Sequence, residues 1–97
     1  MTNGRRKEIE QRVLHTFGEN PQEDMCIEEM SELTKALLKY RRYINESNKQ
    51  ADLSDAVREE IADVQIMLEQ LRMLYGNTDD MEEYKLNRLW ARMEAET

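Results

Sequence analysis

The fold of this chain turns on two short words, Cys-Ile-Glu-Glu-Met-Ser-Glu-Leu at Cys26–Leu33 and Val-Arg-Glu-Glu-Ile-Ala-Asp-Val at Val57–Val64. Each is an acidic pair followed three residues later by a further carboxylate. A helix turns by about 100° per residue, so Cys26, Met30, Leu33, Leu37 and Tyr40 form one narrow apolar stripe. Val57, Ile61, Val64, Leu68 and Leu71 repeat it. Relative to either stripe, the carboxylates of Glu29 and Glu32, or of Glu60 and Asp63, fall on the same flank. Side chains three apart on a helix are neighbours, with Cβ atoms about 5–6 Å apart, so each pair can close on one cation. Antiparallel packing through the stripes would set four carboxylates facing one another across a seam.

Four half-buried carboxylates repel one another and lose hydration unless a cation neutralises them. Oxygen donors alone suit a hard ion, Mg2+ or Mn2+, and Mg2+ keeps waters and leaves room for substrate phosphates. The bland alternative is a solvated acidic shoulder on two amphipathic helices, and one copy alone would support no more. Two copies on equivalent flanks, joined by a turn that folds one helix onto the other, favour the metal site.

Glu29-x-x-Glu32 followed by Glu60-x-x-Asp63 resembles the signature of the MazG-like, all-alpha nucleoside triphosphate pyrophosphohydrolase superfamily. The EEMSEL segment Glu28–Leu33 and the EEIADV segment Glu59–Val64 carry the likeness, which spans about Gln22 to Arg92. The resemblance implies Mg2+-dependent hydrolysis of a nucleoside triphosphate (NTP or dNTP) to the monophosphate and pyrophosphate. It also implies a homodimer or homotetramer in which subunits complete the bundle. Tyr84-Lys85-Leu86-Asn87-Arg88 is similar to the family's late-helix element that contacts the triphosphate, which makes Lys85 and Arg88, with Arg92 behind them, candidate phosphate ligands. Their plain reading is surface charge. Phosphoribosyl-ATP pyrophosphohydrolase and dimeric dUTPase share the carboxylate scheme and are alternatives, as is a non-catalytic helical interaction module.

Hydrolysis between the α and β phosphorus atoms needs charge neutralisation, a positioned water and a stabilised leaving group. Metal held by Glu29, Glu32, Glu60 and Asp63 would serve the first two needs. Glu28 and Glu59, beside the ligand positions, and Glu29 itself are the candidates for taking the water's proton. There is no Gly-rich phosphate loop, and no arrangement of Ser, Cys and His points to nucleophilic catalysis.

The remaining composition fits one all-α domain, an antiparallel bundle of about four helices. With 97 residues, the chain is near the small end of what one core supports and gains from association. Ala, Glu, Lys, Leu and Arg make up nearly half of it, with three Gly and one Pro, a helix-forming mixture. A net charge of −7 argues against a nucleic-acid polymer as partner, although not against a single nucleotide beside bound cations. Cys26 stands alone, which fits a small core residue in a reducing compartment. Neither a leader nor a membrane-length apolar run is visible, so the expected location is cytoplasmic, without membrane contact.

Spacing predicts a loose Met1–Gly4 and a first helix over Arg5–Phe17 that buries Ile9, Val13 and Phe17. The cluster Arg5, Arg6 and Lys7 is expected to be solvated, and His15, without Cys or other His nearby, is left out of the site. The second helix is expected over Pro21–Asn45. A loop follows over Glu46–Leu53, and the third helix, capped by Asp52 or Ser54, runs to Tyr75. Ile66 and Met73 lie away from the main stripe, which predicts a further helix or subunit against them. Gly76–Asp79 stops and restarts the chain, and the last helix, about Asp80–Ala95, is expected to bury Leu86, Leu89, Trp90 and Met93. Trp90 at this spacing reads as core rather than as a base-stacking ring.

Overall fold

A computed structural model describes residues 1–46 and 48–96. Helix ends follow from local chemistry. Thr2 Oγ1 accepts a hydrogen bond from the Arg5 amide at 3.0 Å, so α1 begins before the expected Arg5 and spans Asn3–Phe17. Gly18, at φ 94° and ψ 161°, occupies a region essentially closed to side-chain-bearing residues. Its amide donates to Leu14 O at 2.9 Å, which ends α1 and lets α2 (Glu19–Tyr43) begin at once. Pro21 lies in the first turn of α2, where its missing N–H is harmless. The turn that follows is shorter than expected: α3 (Gln50–Tyr75) begins ahead of Asp52, and Gln50 Nε2 donates back to Ile44 O at 3.0 Å. Ser47, within the expected loop, lies outside the described residues. Gly76, at φ 113°, closes α3. Asn77 Oδ1 then accepts from the Asp79 amide at 2.7 Å, and Thr78 Oγ1 donates to Glu82 Oε2 at 2.6 Å, opening α4 (Asp79–Glu96).

The described residues are all helical apart from these caps and turns, with no strand among them. Among the described residues no helix is long and apolar enough to cross a membrane. α2 and α3 form an antiparallel pair, tied at its far end by the Tyr75 hydroxyl, which donates to Glu23 Oε1. α1 lies across both, and α4 packs against none of the three. The radius of gyration, 17.1 Å, accordingly exceeds the value of about 13 Å typical of a compact domain of this length.

Burial corrects three expectations. The α2 seam runs through Gln22, Cys26, Glu29, Leu33, Ala36 and Tyr40, while Met30 and Leu37 face outward. On α3, Leu53, Val64 and Met67 are buried and Ile61 is 51% exposed. The inner face is thus centred one position earlier than the apolar stripe implies. On α1 the one buried residue is Glu10, whereas Ile9 and Phe17 remain exposed. Leu86, Leu89, Trp90 and Met93 on α4 are all exposed, Trp90 by 62%, since nothing among the described residues covers them. Met73 is half-buried, whereas Ile66 stays 38% exposed; both border grooves shared with α1.

Candidate metal centre

The shifted seam brings carboxylates inward. Glu29 comes from the second turn past Gln22 on α2; Glu60 and Asp63 are one helical turn apart on α3, on the side facing it. One oxygen from each of Glu29, Glu60 and Asp63 lies within 4.8 Å of the others, a group that could hold a metal ion. Glu29 and Glu60 are half-buried and Asp63 exposed. Glu60 Oε2 is buried without any hydrogen-bond partner, an arrangement that leaves a charge-bearing oxygen uncompensated.

Electrostatics agree with the geometry. The Glu29 carboxyl is pushed above the ordinary carboxylate range, first by burial and then by repulsion from Asp63, Glu60, Glu28 and Glu32. Glu60 is pushed up in the same direction by burial, then by Asp63, Glu32 and Glu59. Among the described residues no cation of the chain neutralises this group. A divalent ion bound to oxygen donors would remove the repulsion and satisfy the orphaned Glu60 oxygen, so the donor set fits a hard cation.

Of the four ligands expected from sequence, the structure gathers three. Glu32 stands close enough to repel Glu29 and Glu60 but is not within the cluster, and Lys35 Nζ lies 3.5 Å from its Oε1. Glu28 and Glu59 are exposed on the rims of the two helices, next in sequence to cluster members. Lys85, Arg88 and Arg92 are exposed on α4, and the Arg88 guanidinium sits 5.8 Å from the Tyr84 ring centroid. Because α4 packs on neither α2 nor α3, one chain does not bring these cations onto the carboxylates.

Sequence reasoning missed a second charged group between α1 and α3. Arg6 is not merely solvated: its Nε donates to Glu69 Oε2 at 2.7 Å and lies 3.8 Å from Glu10 Oε1. Glu10 is 4% exposed, and its carboxyl is pushed up to about 7 by burial, then by hydrogen bonding to and repulsion from Glu69, against the pull of Arg6 and Arg72. The Arg6 hydrogen bond, more than any other contact, holds Glu69 below its ordinary range. The available signal was the Arg6/Glu10 spacing of four and the Glu69/Arg72 spacing of three, which put each pair on one helix face. Gln70, 2% exposed, was likewise not singled out.

Comparison of the chain with protein-family models, with curated proteins and with solved structures gives no match.

Proposed function

We propose that the chain is a Mg2+-dependent nucleoside triphosphate pyrophosphohydrolase that releases the monophosphate and pyrophosphate. The observation that carries this reading is the convergence of Glu29, Glu60 and Asp63 from two helices within 4.8 Å, with Glu60 Oε2 buried and unpartnered. The likeness of the two acidic words to the MazG-like superfamily supplies the reaction class. Mg2+, or Mn2+ in its place, would supply charge neutralisation on the phosphates and a more acidic water. Glu29, Glu60 and Asp63 hold the ion, and Glu32 joins them if it leaves Lys35. Exposed Glu28 and Glu59 stand beside the ligands as acceptors for the proton lost when water attacks the α-phosphorus and the bond to the bridging oxygen breaks. Lys85, Arg88 and Arg92 would hold the departing phosphates from a second copy of the chain.

Association has its own support. Among the described residues the buried apolar ones are Cys26, Leu53, Val64 and Met67, a small core for four helices, while α4 exposes an entire apolar stripe. The same surfaces favour a second reading, a non-catalytic helical interaction module. The deciding experiment incubates the protein with Mg2+ and a panel of nucleotides that includes dUTP and phosphoribosyl-ATP. Pyrophosphate release that is lost in Glu60→Gln supports the enzyme and identifies its substrate class. Absence of release, together with a thermal midpoint indifferent to Mg2+, leaves the interaction module.

A further inference from the structure

A groove of about 320 Å³ runs between α1, α2 and α3 and ends on the carboxylate cluster. Phe17 from the end of α1, Met25 from α2 and Met67 from α3 form apolar walls, and Glu29 and Asp63 stand at one end. Gln70 borders the same groove; it is 2% exposed and its Oε1 has no hydrogen-bond partner. Apolar walls, one buried polar group in want of a partner, and a volume at the lower end of the usual range of about 300–1,000 Å³ are the marks of a small-molecule site. A nucleobase matches each of these: flat apolar faces for Phe17 and the thioethers, and an edge carrying donors beside acceptors for an amide.

We infer that this groove seats the base of the nucleotide, with Phe17 against its face, Gln70 reading its edge, and the phosphates directed to the cation that Glu29 and Asp63 would hold. The inference rests on the pyrophosphohydrolase reading for the identity of the ligand, but the groove can be tested apart from turnover. Gln70 is then a specificity-determining residue. A site built to hydrogen-bond an edge rejects analogues lacking that edge far more strongly than an apolar slot rejects a wrong shape.

The test uses methyl-13C-methionine NMR on the full chain, with Mg2+ and nucleoside monophosphates carrying each common base. Ribose 5-phosphate serves as the baseless control. The Met25 and Met67 methyl signals are expected to shift saturably with at least one nucleotide and not with ribose 5-phosphate. Phe17→Ala should weaken that binding about tenfold, as loss of one stacked ring does. Phe17 is largely exposed, so this variant tests the site without threatening the core. Gln70→Leu should flatten the preference among bases. Pyrophosphate release from triphosphates with both methyl signals unmoved by nucleotide would overturn the base seat and leave the hydrolysis reading intact. Base-dependent shifts without turnover would uphold the seat and remove the hydrolysis. Equal shifts from ribose 5-phosphate would also overturn it, as would methyl signals that respond only to protein concentration, the mark of a second copy lying on the groove.

Discussion

Glu60 occupies a position at which every close neighbour opposes its charge. Burial and the carboxylates of Asp63, Glu32 and Glu59 all favour the protonated form, and Oε2 has no donor to accept from. Replacing it with Gln removes one charge and keeps the shape. Without metal, Glu60→Gln should therefore melt at the same temperature as the parent or higher, because repulsion is relieved. With Mg2+ the order should reverse, since the parent alone gains from binding, and turnover should fall on the order of 100-fold or more. Melting curves with and without Mg2+ check this; a variant less stable than the parent in both conditions would make Glu60 a structural residue. The acidic words marked these side chains in the sequence, yet the seam had to be seen to separate them. Counting from Cys26, apolar Met30 and acidic Glu29 are both close to one turn away. In the folded chain Glu29 is half-buried on the α2 seam and Met30 is exposed. Glu32, 3.5 Å from Lys35 Nζ, is outside the cluster.

At the scale of elements, two joints and one docking contact set the arrangement. Gly18 and Gly76 hold φ of 94° and 113° with extended ψ, so a side chain at either is strained by the backbone itself. A Cβ at Gly18 would meet Pro21 Cδ at an ordinary 3.6 Å, which leaves the dihedral as the source of strain. Gly18→Ala should lower stability by about 1–3 kcal/mol, measured by denaturant unfolding. An unchanged midpoint would mean the α1–α2 joint relaxes freely. The glycines were legible as stops in the sequence. The face α1 presents was not, because its apolar residues pointed to Ile9 and Phe17, whereas the buried face carries Glu10 beside the Arg6–Glu69 pair.

That contact makes α1 sensitive to pH. Folded, the Glu10 carboxyl keeps its proton up to about pH 7; unfolded, it releases it near 4.5. Its contribution is thus complete below pH 4.5 and is lost as pH rises through 7. Glu69, held low by Arg6, acts in the opposite sense and loses its contribution as pH falls below its ordinary range. Docking of α1 should weaken between pH 5 and 8 by at most about 3 kcal/mol, and Glu10→Gln should flatten the dependence. Hydrogen exchange of the α1 amides, corrected for intrinsic rates, reads this directly. A parent and variant with the same pH profile would remove Glu10 from the account.

The whole molecule is less finished than its helices. Four helices with three sharp stops between them could be read along the chain, since capping and periodicity are local properties. What covers the last helix could not be read, because an amphipathic stripe specifies that a partner is needed and not which one. α4 leaves Leu86, Leu89, Trp90 and Met93 in solvent, and no other helix of the chain reaches them. Association through this stripe would bury it. Leu89→Asp combined with Trp90→Ser should raise the concentration needed for self-association at least tenfold and leave helix content unchanged, as sedimentation and circular dichroism would show. Equal sedimentation of variant and parent would move the interface elsewhere.

Everything functional depends on whether Glu29, Glu60 and Asp63 together hold a divalent ion. Titration of Mn2+ followed by the electron paramagnetic resonance signal of the free aquo ion measures that occupancy without requiring turnover. Saturable loss of the free signal is expected with the parent protein, and its recovery to the free level in Glu60→Gln. Retention of the full free signal by the parent, or the same loss in both proteins, would contradict it.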